Sequence, residues 1–412
     1  MAEKVVITGV GAISPIGLGA EQSWQSALNG VSGVAPITLF DASDMLVQIA
    51  CEVKNFNPDV YMLSKEARRR DRYQQFAAAA AGEAIKQSGL EVTPANAARI
   101  GVIFSSAIGG LTTIVETEQI RLKDGPRRVS PFAIPMIMAN GASGLISIDY
   151  GMKGPAFSVT SACASGADGI GIAWNLIRAG VIDAAVTGAS ESTVNPFGVA
   201  CFDRLGAMSR RNSDYSMTPQ PFDKNRDGLV MGEGAGCLVL ESESHARQRG
   251  AVILAELAGY AGNADAFHIT APSDDGAGGA AAIHMALQSA HVNADEVDYI
   301  SAHGTATQLN DLSETKAIKG ALGSHAYNTQ ISSTKSMTGH MMGATGALEA
   351  VFCTMAIRDS AVPPTIHYET PDPACDLDYI PNTARHKKVR VAVSNAFGFG
   401  GHNAVLVIRS YS

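Results

Sequence analysis

Charged residues, aromatic residues and excess positive charge are all scarce in this 412-residue chain. Charged residues make up 17% of the sequence and hydrophobic residues 46%, whereas a disordered chain combines low hydrophobicity with high net charge. The formal net charge is -8, and nucleic acids and anionic membranes are bound by clustered basic charge. We therefore expect a globular protein with a large core and with neither nucleic acid nor membrane as a partner.

The sequence also lacks a long uninterrupted apolar run, a signal-peptide pattern and closely spaced cysteines. The most apolar stretch, residues 131–148, is broken by Pro135 and Gly144, which argues against a membrane-spanning helix. Residues 1–7 lack the apolar segment of a signal peptide, so a cytoplasmic setting is expected. The 6 cysteines show no metal-type spacing, and we expect reduced thiols and no metal centre.

Short apolar runs alternate with amphipathic stretches almost throughout, which is typical of an α/β protein with buried strands. A polar segment at 241–250 divides the chain into two compositionally similar parts, 1–250 and 251–412, without a linker between them. The runs that predict strands are 5–8, 100–104, 156–159, 184–186, 237–240, 253–257, 299–300 and 391–393, and those that predict helices are 68–88, 166–178, 280–290 and 346–357.

The first chemical motif is TSACASG at 160–166, between the predicted strand 156–159 and a helical run that begins near Ala164. Cys163 is therefore expected at a helix N-terminus, where unpaired amides and the helix dipole favour a thiolate and lower the thiol pKa. A free cysteine is more often a buried structural residue. Two histidine motifs downstream favour a nucleophile instead.

The histidine motifs are SAHGTAT at 301–307 and STKSMTGH at 333–340. His303 follows a short predicted strand, where open α/β sheets place ligand sites, and Asn310 and Asp311 are candidate helix caps. Near His340, Lys335 has two interpretations that stay open: it forms a buried ion pair with Glu349, or it orients His340.

A fourth motif, SNAFGFGGHN at 394–403, alternates glycine with phenylalanine after a predicted strand. Glycine frees the backbone while phenylalanine supplies bulk, so the segment suits a mobile gate, and its amides can stabilise an oxyanion. A tight turn with two core phenylalanines is the alternative.

These four motifs, in this order and spacing, resemble the beta-ketoacyl-[acyl-carrier-protein] synthases of the thiolase superfamily, most closely the class II elongating type. The resemblance runs from residue 5 to residue 407 and includes the segments 221–228 and 232–236. It implies a thiolase fold of duplicated halves in a five-layered αβαβα core, a homodimer, and decarboxylative condensation of a malonyl thioester with an acyl chain delivered by acyl carrier protein. It implies no required cofactor, although a structural monovalent cation near Glu349 and Asn395 occurs in some members.

The resemblance also assigns roles residue by residue. It implies that Cys163 carries the acyl chain, that His303 and His340 promote decarboxylation, and that Lys335 and Glu349 organise the histidines. Phe399 gates the pocket, and its amide forms the oxyanion hole with that of Cys163. The remaining implied residues are Ile108 and Phe202 in the acyl pocket, and Thr270, Thr305 and Thr307 on the phosphopantetheine arm.

Basic residues cluster in two places in this otherwise acidic chain. A solvated helix face is the ordinary interpretation of such a cluster, but carrier proteins are acidic, so the resemblance makes it a docking surface. This docking surface consists of Lys65, Arg68, Arg69, Arg127 and Arg128.

Three other functions share part of the pattern. A polyketide ketosynthase uses the same mechanism, a biosynthetic thiolase replaces one histidine by a second cysteine, and a silent partner subunit lacks the nucleophile.

Segment 223–228 imitates a calcium loop but has Gly234 at the twelfth position, and Gly9 and Gly11 lack the third glycine of a dinucleotide site. Departures from the family pattern at 201–204 and 306–308 leave the preferred acyl length open.

Overall fold

A computed structural model describes residues 3–412. The strands are β1 (Val5–Ile13), β2 (Ala35–Pro36), β3 (Ile49–Ala50), β4 (Ile100–Ser105), β5 (Ala156–Phe157), β6 (Ala184–Glu191), β7 (Gly234–Ser242), β8 (Ala255–Ala264), β9 (Tyr299–Ser301), β10 (Gln330–Ser332), β11 (Ala361–Val362), β12 (Arg385–His386), β13 (Val391–Gly398) and β14 (His402–Arg409).

The α-helices are α1 (Ala20–Leu28), α2 (Ser64–Ala67), α3 (Arg72–Ser88), α4 (Leu111–Asp124), α5 (Ala133–Ile137), α6 (Gly141–Tyr150), α7 (Ser165–Arg178), α8 (Pro196–Arg204), α9 (Glu243–Gln248), α10 (Ala277–Ala290), α11 (Gln308–Leu322), α12 (Lys335–Thr338) and α13 (Thr345–Asp359). Short 3-10 turns connect several of them.

The two halves repeat one sheet topology. The first half has the strand order β5-β4-β6-β7-β1 and the second half β10-β9-β13-β14-β8. Counted within each half, both orders are 3-2-4-5-1, and the corresponding pairs have the same parallel or antiparallel direction. The halves meet where β1 pairs with β8 at Val6–Glu256 and Ile7–Ala255. The duplication, which identity within the sequence does not reveal, is visible in this topology.

Helices form three layers around the two sets of strands. Helices α7 and α13 lie between the halves and contact strands of both, α3 and α6 cover the outer face of the first half, and α10 with α11 covers that of the second. The largest apolar cluster lies in the central layer, and the outer layers enclose two further clusters. The expected five-layered αβαβα architecture is thereby confirmed.

Glycines allow α3 to approach β1 closely. A Cβ atom at Gly9 would lie 2.2 Å from the Ala84 carbonyl oxygen, and one at Gly11 would lie 2.0 Å from that of Ala80. These glycines therefore serve helix packing.

Several predicted boundaries are wrong. The helix predicted over 68–88 begins at Arg72, because the Asp71 side chain accepts from the Tyr73 amide in a capping box with Gln74. The strand predicted over 253–257 begins at Ala255, after α9. Within residues 3–412, no helix combines the length and hydropathy needed to cross a bilayer.

Candidate active site

Cys163 lies in the tight turn between β5 and α7. Ala162 has φ 51, in the left-handed region, and α7 begins two residues after Cys163, with Ala164 as its N-cap. The thiol is 8% exposed, and burial raises its pKa to about 11, although the Phe399 amide hydrogen bond opposes the shift. The predicted lowering of the pKa is therefore wrong, because desolvation outweighs the helix N-terminus.

The two histidines meet at this cysteine. His340 Nε2 lies 3.1 Å from Cys163 Sγ, and His340 Nδ1 lies 3.1 Å from Thr345 Oγ1. The His303 and His340 rings are nearly perpendicular, with centroids 5.4 Å apart. Burial, and next the positive charge of Lys335, lowers the pKa of both imidazoles well below the usual value. Both are neutral at neutral pH and can therefore donate one hydrogen bond each without carrying charge.

Lys335 and Glu349 form a buried pair behind the histidines. Lys335 Nζ donates to Glu349 Oε1 at 2.6 Å, and the two side chains are 1% and 0% exposed. Burial raises the pKa of Glu349 to about 7. The structure supports the ion-pair interpretation directly, and Lys335 also acts electrostatically on both histidines.

Glu314, which sequence reasoning missed, holds the turn that carries His303. Its carboxylate on α11 accepts from the amides of His303 and Gly304, each at 2.7 Å, and from Asn395 Nδ2 at 3.1 Å. The only signal in the sequence is an acidic residue one helical turn after Asn310. Those candidate caps, Asn310 and Asp311, lie inside α11, whose N-cap is Thr307.

The glycine-phenylalanine loop packs directly on the nucleophile turn. A Cβ atom at Gly398 would lie 2.9 Å from the Ser161 carbonyl oxygen and 3.1 Å from the Cys163 amide nitrogen. The amide of Gly400 donates to the Ile269 carbonyl at 2.7 Å, which joins this loop to segment 265–272. The backbone amides of Phe399 and Cys163 both act to lower the pKa of the Cys163 thiol, so both lie close to the sulfur, where donors to an oxyanion are needed.

One cavity of about 280 Å³ brings most of the predicted residues together. Its lining includes Cys163, His303, His340, Phe399, Phe202, Thr270, Thr305 and Thr307. Ile108, predicted in the acyl pocket, is absent from this lining, and its amide instead donates to Glu191. Thr305 and Thr307 bond to each other through their hydroxyls at 2.9 Å.

The docking surface lies outside this cavity. All five side chains of the docking surface are exposed, on α2 and the turn after it and on the 3-10 turn Pro126–Arg128. The Arg69 guanidinium lies over the Phe132 ring at 4.5 Å, and this contact brings the two basic segments together.

The calcium-like segment has a structural role. The Asp223 carboxylate accepts from the amides of Asn225, Glu369 and Thr370. In residues 3–412, no group of three or more His, Cys, Asp or Glu side chains is arranged to hold a metal ion. Glu349 Oε2, Asn395 Oδ1 and Ser394 Oγ are buried oxygens without a partner in the described chain.

Comparison with known proteins agrees with this geometry along the whole chain. The family models for the beta-ketoacyl synthase N-terminal domain and C-terminal domain match residues 2–246 and 254–369. The curated 3-oxoacyl-[acyl-carrier-protein] synthase 2 of Synechocystis sp. is 48% identical over 409 residues, covering 99% of this chain and 98% of the relative. The protein of that name from Staphylococcus aureus is 47% identical, covering 99% of each chain.

The solved structures include a close match in shape. A type II PKS acyl-carrier protein in complex with its ketosynthase bound to the hexaketide matches with a TM-score of 0.91 and 36% identity, over 100% of both chains.

Proposed function

Because the chain belongs to the beta-ketoacyl synthase family and has its thiolase fold, we propose that it condenses malonyl-[acyl-carrier-protein] with a cysteine-bound acyl chain in fatty acid elongation. The products are a 3-oxoacyl-[acyl-carrier-protein] two carbons longer and CO2. The observation that carries the proposal is the meeting of Cys163, His303 and His340 in one cavity.

Acyl transfer comes first. The Cys163 sulfur attacks the thioester carbonyl of an acyl carrier protein, the carbon–sulfur bond to the carrier breaks, and the leaving thiolate takes up the thiol proton. Negative charge develops on the carbonyl oxygen, where the amides of Cys163 and Phe399 donate hydrogen bonds. The acyl chain remains as a thioester on Cys163.

Decarboxylation and condensation follow. When the Thr345 hydroxyl donates to His340 Nδ1, Nε2 keeps its proton and points toward the sulfur. His303 and His340 then donate to the malonyl thioester oxygen as CO2 leaves and an enolate forms. The enolate carbon attacks the acyl-cysteine carbonyl, the carbon–sulfur bond breaks, and the released Cys163 thiolate takes up a proton from water.

A variant at the nucleophile tests this function. Cys163→Ala should abolish condensation of malonyl- and acyl-[acyl-carrier-protein], measured as CO2 release and 3-oxoacyl product by mass spectrometry. Cys201→Ala, at an exposed thiol, is the matched control and should keep full activity. Product formation by Cys163→Ala would contradict the proposal, as would wild-type condensation of two acetyl thioesters without CO2 release, which is thiolase chemistry.

The partners are part of the proposal. The carrier protein docks on the five basic residues of the docking surface, and Thr270, Thr305 and Thr307 contact the phosphopantetheine arm inside the cavity. Phe202 lines the acyl end of the same cavity. The fatty acyl assignment is favoured over a polyketide one by the higher identity of the fatty-acid-type relatives, 48% against 36%.

We also propose a homodimer that works in the cytoplasm. The free cysteines, including Cys163 and the exposed Cys201, suit a reducing compartment. The dimer would cover the open edge of β5 together with α5 and α6 beside it, where Ile134 and Ile148 are 65% and 76% exposed.

The chemistry requires no cofactor beyond the carrier's own arm. A monovalent cation fits beside the catalytic pair, because Glu349 Oε2, Asn395 Oδ1 and Ser394 Oγ are buried oxygens that lack a hydrogen-bond partner within residues 3–412. Such an ion would hold the end of β13 and offset the buried Glu349 charge.

A further inference from the structure

Glu191, at the end of β6, is a buried carboxylate that the steps above do not use. It is 0% exposed and accepts from Ser106 Oγ at 2.7 Å, from the Ala107 amide at 2.8 Å, from the Ile108 amide at 3.3 Å and from the Gly343 amide at 3.1 Å. The first three donors belong to the loop after β4, and the fourth lies three residues after His340. One side chain therefore joins segments from the two halves of the molecule.

Ser106 extends this connection to the nucleophile. Its hydroxyl donates to Glu191 and accepts from the Gly109 amide at 2.8 Å, and its carbonyl accepts from Thr160 Oγ1 at 3.0 Å. Thr160 precedes Cys163 by three residues. The loop 106–110, the turn that carries Cys163 and the turn after His340 thus share one hydrogen-bond network.

The space around Gly343 shows how closely these parts fit. A Cβ atom there would lie 2.7 Å from both the Glu191 carboxylate and the Ala107 amide nitrogen. A Cβ atom at Gly166, on α7, would lie 2.7 Å from the Gly343 carbonyl oxygen. The loop 106–110 and the turn after His340 are therefore packed together without spare space.

The absence of a cation separates Glu191 from most of the other buried carboxylates. Glu233, Glu241 and Glu349 each pair with an arginine or lysine. Within residues 3–412, Glu191 has no cation at ion-pair distance, and its donors are one hydroxyl and three loop amides. Burying a carboxylate charge without a cation is costly, so these four hydrogen bonds must stabilise it. All four donors belong to segments around the active site.

We infer that Glu191 is a positioning residue for the condensation: its carboxylate fixes the loop 106–110 against the turn after His340, and so couples the space beside Cys163 to the placement of the decarboxylating imidazole. The inference rests on the proposed function. The carboxylate that holds the loop also holds the Gly343 amide in the turn after His340. Acylation of Cys163 and malonyl decarboxylation are therefore linked through this one side chain.

The decisive variant is Glu191→Gln, which keeps the size but replaces one accepting oxygen by an NH2 group that faces amide donors. We expect on the order of a 10- to 100-fold loss in acylation of Cys163 and in malonyl decarboxylation, because displacements of about 1 Å have that effect. The loss in acylation should appear with acetyl, octanoyl and palmitoyl thioesters alike, because the network acts through Thr160 on the turn that carries Cys163. Glu83→Gln is the matched control, because the Glu83 carboxylate also accepts backbone amides, those of Ala12 and Ala20, but does so away from the site.

A second readout does not depend on catalysis. The Glu191 charge raises the pKa of the Cys163 thiol, whereas the Lys335 charge lowers it and neutral His303 and His340 face it. The pH profile of Cys163 alkylation by iodoacetamide should therefore shift to lower pH in Glu191→Gln and stay unchanged in Glu83→Gln. If the wild type condenses no thioester, the proposed function fails, but this shift still decides whether Glu191 acts on the site.

Ser106→Ala provides an answer if Glu191→Gln does not fold. It removes one donor on the loop side only, so acylation should fall while malonyl decarboxylation changes less. Equal kinetics for Glu191→Gln and Glu83→Gln, with an unshifted alkylation profile, would overturn the inference, and so would a Ser106→Ala variant with wild-type acylation at every chain length.

Discussion

The Cys163 thiol carries its proton at neutral pH, since burial raises its pKa to about 11. Only the thiolate is alkylated rapidly, so the alkylation rate should increase about tenfold per pH unit from pH 7 to pH 9, without a plateau. Iodoacetamide labelling of the Cys163 peptide, followed by mass spectrometry, measures this directly. A plateau below pH 8 would contradict the raised pKa and would support the thiolate that the helix N-terminus predicts.

The Lys335–Glu349 pair permits a comparison between two single variants. Lys335→Met leaves Glu349 buried without its partner, and Glu349→Gln leaves Lys335 in the same position, so each should lose about 3–5 kcal/mol of unfolding free energy in urea. Their decarboxylation profiles should differ. Removing the lysine charge raises the pKa of His303 and His340, so both imidazoles become protonated at a higher pH. As the pH falls, Lys335→Met should therefore lose decarboxylation activity at a higher pH than the wild type does, whereas Glu349→Gln should not. Identical pH profiles for the two variants would show that Lys335 acts only as the structural ion-pair partner of Glu349.

At this scale the sequence predicted the reacting groups better than the residues that hold them. Cys163, His303 and His340 each lie within a short, continuous sequence motif. Glu314 lies 11 residues from the amide it binds, and Glu191 lies 152 residues from Gly343, so folding alone reveals their partners. The raised thiol pKa was unpredictable for the same reason, because burial depends on the whole fold.

The loop after β13 acts as one element with the nucleophile turn. Gly398→Ala adds a Cβ atom 2.9 Å from the Ser161 carbonyl oxygen, which should push the Phe399 amide away from the sulfur. We expect about a 100-fold loss in the rate of Cys163 acylation, followed by stopped-flow or quench mass spectrometry. Gly400→Ala controls for backbone strain in the loop, because Gly400 has φ 85, in the left-handed region, while its Cβ atom would meet only the flexible His402 ring. Equal losses in both variants would indicate general loop strain instead of a specific displacement.

The basic segments should function as a single docking element. Arg68→Glu with Arg69→Glu should raise the KM for acyl carrier protein and spare acylation by a small acyl thioester, and rising salt should weaken the wild-type interaction. Lys387→Glu with Lys388→Glu, two adjacent exposed cations elsewhere, is the matched control. Equal losses with carrier-bound and small thioesters would show that the arginines support the fold rather than docking.

Element by element, apolar runs located the strands but not their ends. Strand β6 was predicted as three residues and extends to Glu191, because its polar residues are also buried between neighbouring strands. The range of helix α11 was not predicted beyond its candidate caps, since buried Asp311, Glu314 and Thr315 interrupt its apolar spacing. Tertiary hydrogen bonds satisfy those polar groups, and a sequence pattern contains no information about them.

At the scale of the molecule, the repeated 3-2-4-5-1 topology makes β5 and β10 the two sheet edges, and exposed apolar side chains lie beside β5. Ile134→Asp with Ile148→Asp places two charges in that surface and should convert a dimer to monomers in sedimentation velocity at micromolar concentration. Val252→Asp, at a side chain that is 74% exposed elsewhere, is the control and should leave the dimer intact. Because Glu191 and Ser106 fix the loop that packs on α5, through the Gly110 amide and the Ile137 carbonyl, the monomers should also acylate Cys163 more slowly. A wild type that sediments as a monomer would exclude this interface, and a dimeric double variant would move it to another face.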